Sequence, residues 1–198
     1  AQCLVGSEMC IRDRPTVMLN AACWYLHMNQ EFVYVGDEAV VEPSGKSRRL
    51  GLDVGLRWEF LKNFYFQADY TYSNARMTEE PSGADYIPLA PVNTLLAGLT
   101  YKTDRFSAGV HCRWLGNRPA NEDYSLTAKG YCITDINASY TIGKLTFGAA
   151  VENLFDVKWR EAQFATETMI PGDDAPVTDI CFTPGTPFAL RGFVSYRF

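Results

Sequence analysis

The chain has 198 residues, is 47% hydrophobic and carries a net charge of −5, which is ordinary for a folded protein. Its longest cluster of basic residues is Arg48–Arg49, which argues against a nucleic-acid partner. No apolar run approaches the roughly 18 residues of a transmembrane helix. The aromatic fraction of 14% is high, and it favours strands and interfaces over helices.

The first fourteen residues, AQCLVGSEMCIRDR, lack the cationic start and apolar core of a signal peptide. They resemble a translated sequencing adapter of the kind found at the ends of fragmentary reading frames. We therefore expect residues 1–14 to be a non-native leader. Residues 15–198 are then the biological sequence, truncated upstream.

After the leader, apolar and polar residues alternate in segments of about ten residues, the length that a tilted strand needs to cross a bilayer. In one segment Leu52 and Leu56 share a face, whereas Asp53 and Arg57 lie opposite. This period of two predicts β-strands that separate an apolar phase from water. Nine strands are predicted, over residues 16–27, 31–35, 47–60, 64–77, 93–103, 106–116, 131–142, 145–155 and 188–198.

The connections between these strands alternate between turns of about two or three residues and loops of roughly eleven to thirty. A soluble sandwich has no reason to sort its turns by side, whereas an outer-membrane barrel has tight periplasmic turns and long outer loops. Aromatic residues gather at the tight-turn ends, as an interfacial girdle requires. They are Trp58, Phe60, Phe64, Phe66, Tyr101, Phe106, Tyr140, Tyr196 and Phe198.

The faces opposite the apolar ones carry charges, among them Arg57, Asp69, Arg113, Asp135 and Arg191. A tightly filled small barrel cannot easily desolvate so much charge, so a wide, wet or plugged lumen is predicted. Bacterial single-chain barrels have an even number of strands, so nine strands indicate part of a larger barrel. The expected fold is all-β: a partial, antiparallel transmembrane β-barrel.

Four segments resemble a known family. The block VENLFDVKW places Asn-Leu-Phe-Asp at the end of the penultimate strand, directly before a long loop. It is similar to the C-terminal region of TonB-dependent outer-membrane receptors. GDEAVVEPSGKSRRLGLDV, DYIPLAPVNTLLAGLTY and FTPGTPFALRGFVSYRF resemble the same family in the expected order. The resemblance covers residues 15–198 and implies the last nine strands of a barrel of about 22 strands.

The resemblance implies a receptor in the bacterial outer membrane that imports a scarce nutrient, such as a ferric siderophore, haem, cobalamin or a carbohydrate. Its implied partners are TonB, reached through a plug and a TonB box upstream of this chain, outer-membrane lipid and lipopolysaccharide, and the barrel assembly machinery. A passive porin-like or adhesin-type barrel without a plug is the alternative. A soluble all-β binding module is a third interpretation, and it predicts that the purified chain stays in solution without detergent.

Ligand contacts in such receptors come largely from the outer loops, so the candidate ligand-binding residues are Arg118, Asp123, Trp159 and Arg160. The outer-loop aromatic residues that can stack on a substrate are Tyr124, Trp159, Phe164 and Phe182. The loop 156–187 carries acids that can attract a cationic ligand or divalent ions, or can simply be solvated. These acids are Asp156, Glu161, Glu167, Asp173, Asp174 and Asp179. Asn153 to Asp156 are interpreted as structural.

No GxSxG, HExxH or paired Cys/His motif is present, so the sequence indicates neither an enzyme nor a cofactor. Six cysteines without a CxxC pair predict no disulfide framework and no metal site. Cys112 and Cys132 are out of step on neighbouring strands, and we interpret them as apolar filler. His111 is predicted to point into the lumen.

The alternating C-terminal strand resembles the signal that the outer-membrane assembly machinery recognises in its clients. Its residues would be Val194, Tyr196 and Phe198, on a lipid-facing side. The same period places Leu99 towards lipid and Leu96 towards the lumen.

Overall fold

The computed structural model describes residues 2–5, 9–14, 16–30, 32–35, 40–43, 45–169 and 175–198. Every regular element in these ranges is a β-strand, and none of them contains a helix able to cross a membrane. In chain order the strands are β1 (Gln2–Val5), β2 (Met9–Arg14), β3 (Val17–Met28), β4 (Phe32–Val35), β5 (Val40–Pro43), β6 (Ser47–Leu61), β7 (Phe64–Met77), β8 (Asn93–Lys102), β9 (Phe106–Leu115), β10 (Arg118–Pro119), β11 (Thr127–Ala128), β12 (Tyr131–Ile142), β13 (Leu145–Glu152), β14 (Arg160–Thr168), β15 (Val177–Pro184) and β16 (Ala189–Tyr196).

One antiparallel sheet contains ten of these strands, in the order β1-β3-β6-β7-β8-β9-β12-β13-β16, with β2 also paired to β3. Its connections are sorted by side, as predicted. The short ones, 62–63, 103–105 and 143–144, lie at what we term the tight-turn end, and the long ones, 29–46, 78–92, 116–130 and 153–188, lie at the outer end. No pairing among the described residues joins β16 to the opposite edge, so the sheet is an open, partial barrel wall.

The prediction of a wall strand over residues 31–35 is wrong. Within the described part of that segment, β4 pairs with β5 in a separate hairpin, and β3 pairs directly with β6 along its whole length. A strand of four residues spans only about 13 Å, too short for an apolar band of about 25 Å. β1 and β2 pair with different halves of β3 and together take one strand position in the wall. The wall therefore still has nine strand positions. That residues 1–14 are a non-native leader stays a prediction.

The register confirms the two faces of the wall. Leu56 pairs with Ala68, and one step away Arg57 pairs with Gln67, so apolar and polar rows alternate across the strands. The same register places Leu99 on the apolar, outward face and Leu96 on the polar, inward face, as predicted. The buried apolar side chains of the described residues are few, namely Met77, Ile87, Ala120, Ala128 and Ile133. The outward rows therefore have no protein core to enter.

Charged residues on the inward face pair across neighbouring strands. Both Asp69 oxygens accept hydrogen bonds from Arg57 Nη2, at 2.9 and 2.8 Å. Arg191 on β16 likewise places its Nη2 3.2 Å from Oε2 of Glu152 on β13. His111 is directly opposite Gly98 and Asp135 on this face, which confirms its inward orientation.

Aromatic rings form a chain at the tight-turn end, where the girdle is predicted. The centroid separations are 5.3 Å for Trp58–Phe60, 5.7 Å for Phe60–Phe64, 4.6 Å for Phe64–Tyr101 and 6.1 Å for Tyr101–Phe106. Trp58 and Tyr101 suit the level of lipid headgroups because their rings are apolar and carry one polar group, and the rings of Phe60 and Phe64 pack between them.

Cys112 and Cys132 are indeed out of step, because Cys112 pairs with Thr134 and Cys132 pairs with Trp114. Their sulfur atoms nevertheless approach to 3.3 Å, and both thiols are free. Side chains on diagonal positions of one face still reach each other, which the sequence-based register did not take into account.

Candidate functional site

The outer end of the wall carries the candidate site, because the long connections 116–130 and 153–188 leave from neighbouring strands there. The first contains the two-stranded pair β10 and β11, and the second contains the hairpin of β14 and β15. The segment 156–187, which the sequence indicates only as a loop, therefore contains a hairpin among its described residues. The two connections are fixed to each other and to the wall by buried amide side chains.

Asn153 is the point where β13 ends and the long connection begins. Its side chain is 2% exposed; Nδ2 donates to the carbonyl oxygens of Val157 and Thr186, at 2.9 and 3.0 Å, and Oδ1 accepts from the Val157 N–H at 2.9 Å. Asp156 Oδ1 in turn accepts from the Phe188 N–H at 2.9 Å. These bonds tie both ends of the connection together. They support the structural interpretation of the Asn-Leu-Phe-Asp block.

Gln163 holds the hairpin against the neighbouring connection. Its side chain is 1% exposed, Oε1 accepts from the Lys129 N–H at 2.9 Å, and Nε2 donates to the Lys129 carbonyl at 2.8 Å. Both hydrogen-bonding groups of one peptide residue are therefore satisfied by a single amide. The hairpin and the 116–130 connection form one platform as a result.

A cavity of about 910 Å³ opens on this platform. Trp159 lies on one side, with its ring 4.7 Å from Tyr131 and its Nε1 donating to the Thr186 carbonyl at 3.0 Å. The indole covers Gly185 at the point where any side chain would clash with it. The lining residues are Lys129, Asp156, Val157, Lys158, Trp159, Arg160, Glu161, Phe182, Pro184, Gly185, Thr186 and Pro187.

The cavity lining has three cations and two acids. One of the acids, Asp156, is already engaged by a backbone N–H, and the Arg160 guanidinium lies 4.0 Å above the Phe182 ring. Cations held beside aromatic faces recognise planar or anionic groups. The size is within the range of small-molecule pockets, about 300–1,000 Å³.

Of the four predicted ligand-binding residues, the structure brings Trp159 and Arg160 together in the cavity. Arg118 lies outside its lining: the residue is 7% exposed, and Nη1 has no hydrogen-bond partner within the described ranges. Burial lowers the pKa of this guanidinium, and nearby Tyr131 opposes that effect. Whether any of the four binds ligand stays a prediction.

Asp123 lies away from the cavity and closes a turn of its own loop. The Ser125 N–H donates to its Oδ1 at 3.0 Å, and this bond lowers the pKa of the carboxyl. Of the predicted aromatic residues, Trp159 and Phe182 line the cavity, whereas Tyr124 packs on Tyr86 at 5.1 Å.

The described residues hold no cluster of three or more His, Cys, Asp or Glu side chains that could bind a metal ion. Asp173 and Asp174, two of the acids considered for divalent ions, lie outside the described residues.

The fold agrees with one family. The model of the TonB dependent receptor-like β-barrel family matches residues 11–154. The chain belongs to this family. TonB-dependent receptor barrels are outer-membrane proteins of Gram-negative bacteria. No curated protein sequence matches the chain.

Solved structures of TonB-dependent receptors share this fold. The siderophore receptor PiuA from Acinetobacter baumannii is 17% identical with a TM-score of 0.65, over 91% of this chain and 26% of that one. The ferric-catecholate import receptor Fiu from E. coli, in its closed form, is 19% identical with a TM-score of 0.68, over 96% and 26%. The copper transporter OprC is 20% identical with a TM-score of 0.68, over 94% and 30%. The chain therefore spans between a quarter and a third of these proteins.

Sequence reasoning missed Gln163, Tyr131 and Lys129. Gln163 gives no local signal, because its partner lies 34 positions away on another connection. Tyr131 was counted only as a strand residue, although its position at the outer end of β12, on the inward face, places it beside the loops.

Proposed function

We propose that the chain forms the C-terminal wall of an outer-membrane receptor that imports a scarce, anionic small molecule such as a ferric siderophore. The observation that carries this proposal is the outer-end cavity, with Lys129, Lys158 and Arg160 beside two aromatic rings. A ferric chelate with negatively charged, planar chelating arms is complementary to such a lining.

The receptor acts by transport rather than by chemical conversion of its cargo. Family membership supports coupling to TonB, through a plug and a TonB box in the remainder of the receptor. The outer-end platform provides the first contact, because Asn153 and Gln163 hold its two connections rigid before cargo arrives.

Uptake by the complete receptor tests this proposal. A strain that lacks the gene is complemented with the wild type, with Arg160→Gln or with Arg105→Gln, and uptake of radiolabelled iron chelates, copper, cobalamin and a carbohydrate is measured. Arg160→Gln should weaken the apparent affinity for an anionic chelate about tenfold through loss of a charge-assisted contact. Arg105 is an exposed cation in a tight turn at the opposite end, and its variant should behave as the wild type.

The proposal also requires that uptake stop in a strain lacking TonB. Uptake that continues without TonB would indicate a passive barrel and overturn the energy-coupled mechanism. Equal effects of the Arg160 and Arg105 variants would remove the cavity from the uptake route.

We also propose that Val194, Tyr196 and Phe198 carry the assembly signal. The register places Val194 and Tyr196 opposite Phe147 and Leu145 on the outward face, and Phe198 packs edge-on against Tyr196 at 5.3 Å. Deletion of Phe198 from the complete receptor should lower its surface level and leave the ligand affinity of the assembled fraction unchanged. A normal surface level after deletion would refute this role.

A further inference from the structure

Two cysteine side chains meet on the outward face of the wall near its outer end. Cys112 on β9 pairs with Thr134 on β12, and two positions along the same ladder Cys132 pairs with Trp114. Cys112 follows the inward-facing His111 on its strand, so Cys112 and Cys132 both lie on the outward face. Their Sγ atoms are 3.3 Å apart, which is van der Waals contact between two free thiols.

This contact is close to the geometry of a disulfide. The S–S bond of a disulfide is about 2.05 Å long, so the two sulfur atoms need to approach by only about 1.3 Å. Rotation about the two Cα–Cβ bonds supplies a movement of that size while the strands keep their register. The backbone of the wall is therefore already placed for a covalent link between β9 and β12.

The fold brings these two thiols together and keeps the other described cysteines apart from them. Cys23 lies on β3, four strand spacings or about 19 Å from β9. Cys181 lies on β15, in a sheet separate from the wall. Among the described residues, only the sulfur atoms of Cys112 and Cys132 are in contact with each other.

The pair lies where the connection 116–130 leaves the wall. The ladder between β9 and β12 ends with the pair Leu115 and Tyr131, and Cys132 directly follows Tyr131. The Tyr131 ring packs on Trp159 at 4.7 Å, beside the outer-end cavity. The ends of paired strands are the first parts of a sheet to open. A covalent link at this point would hold the root of the connection closed.

We propose that Cys112 and Cys132 form a disulfide in the mature receptor. The outer membrane borders the periplasm, a compartment in which protein thiols are oxidised. The oxidant is the disulfide of a periplasmic thiol oxidoreductase. One cysteine thiolate attacks that disulfide to give a mixed disulfide, and the second thiolate then displaces the oxidant's sulfur. The two cysteines lose two protons and two electrons, and the oxidant leaves as a dithiol.

The oxidation precedes insertion of the strands, because a protein oxidant reaches thiols from water and the two sulfur atoms end on the outward face. The wall then preserves the link, since its register holds both cysteines in contact. The modification is independent of the cargo, because it uses neither the cations nor the aromatic rings of the outer-end cavity.

Peptide mapping of the complete receptor tests the proposal. Cells are quenched with acid, free thiols are blocked with N-ethylmaleimide before lysis, and the denatured receptor is digested with trypsin without reductant. Cleavage after lysine and arginine places Cys112 in peptide 106–113 and Cys132 in peptide 130–144. Mass spectrometry should detect these two peptides joined, two hydrogen atoms lighter than their sum, and reductant should separate them.

Matched variants identify the partners and the oxidant. Cys112→Ser and Cys132→Ser should each abolish the joined peptide, whereas Cys181→Ser, at an exposed free thiol, should leave it unchanged. In a strain that lacks periplasmic thiol oxidoreductases both peptides should carry the maleimide. The proposal is overturned if both carry it in the wild-type strain, if Cys112 is joined equally often to other cysteines, or if the joined peptide persists without the oxidoreductases.

Cleavage of the folded receptor at Lys129 measures what the link does. Lys129 is exposed on the connection that the two cysteines enclose, and trypsin cuts it in proportion to the fraction of molecules with that connection open. Reduction should accelerate this cut about tenfold in the wild type. Cys112→Ser should be cut at the faster rate with or without reductant. An unchanged rate on reduction of the wild type would refute a role in holding the connection closed.

Discussion

The hydrogen bonds of the Asn153 side chain are predicted to hold the outer-end platform together, and a substitution tests this role. Asn153→Ala removes three hydrogen bonds from a site that is 2% exposed, each with a net contribution of about 1 kcal/mol. Asn153 also has a φ of 50°, in the left-handed region, where alanine costs about 1 kcal/mol. The local opening free energy of the connection should therefore fall by about 4 kcal/mol.

Hydrogen exchange of the Gly185 amide measures this change, because that N–H donates to the Trp159 carbonyl at the base of the connection. A loss of about 4 kcal/mol corresponds to an exchange rate that is about a thousandfold faster. Asn153→Gly loses the same hydrogen bonds but tolerates the positive φ, so it should accelerate exchange only about a hundredfold.

Asn63 provides the matched control. It also has a positive φ, 70°, but lies in a tight turn, where only its carbonyl oxygen is seen to accept a hydrogen bond among the described residues. Asn63→Ala should leave Gly185 exchange unchanged. An acceleration of less than about threefold in Asn153→Ala, or an equal acceleration in Asn63→Ala, would contradict the role assigned to the Asn153 side chain.

Three further predictions concern other parts of the chain. Leu99→Arg should strongly reduce the fraction of receptor that assembles, because a cation at the midplane of the lipid face costs about 2–4 kcal/mol. Leu96→Arg, on the inward face, should be tolerated. Equal damage by both substitutions would show that the register is wrong. Gln163→Leu leaves the part-buried N–H and carbonyl of Lys129 without their partner and should make the β14–β15 hairpin sensitive to limited proteolysis. A wild-type cleavage rate would contradict the role of Gln163 in holding the hairpin. The pKa of the Asp123 carboxyl is lowered from its usual 3.8, so the stability that its hydrogen bond with the Ser125 N–H contributes to the turn is complete above pH 3.8. That stability is lost as the pH falls through the lower pKa of the folded state. Exchange of the Ser125 amide, corrected for intrinsic rates, should therefore accelerate only below pH 3.8.

The features that repeat along a strand could be predicted from the sequence alone. Alternation with a period of two fixes which residues share a face, so the positions of Leu99, Leu96 and His111 followed without any knowledge of partners. The sorting of short and long connections followed equally, because connection length is a property of one stretch of chain. Membership of an antiparallel wall is a consequence of both.

The incorrect prediction of a wall strand at 31–35 shows where alternation alone is not sufficient. The segment has an alternating pattern, but pattern alone does not say whether a strand pairs with the wall or with its own loop. Two facts exclude this segment from the wall. The strand β4 is short relative to the apolar band, and β3 pairs directly with β6 along its whole length. The pairing is seen only in the three-dimensional structure.

The contacts of the outer-end site could not be predicted from the sequence, because they join residues that are distant along the chain. Gln163 and Lys129 are 34 positions apart on two connections, and Asn153 and Thr186 are 33 apart near the two ends of one connection, so each contact depends on which strands the wall places side by side. Likewise, Arg48 lies opposite both His27 and Arg76 only because of the registers of two strand pairs. Local alternation fixes the direction of each side chain, whereas the stagger between strands fixes which side chains meet.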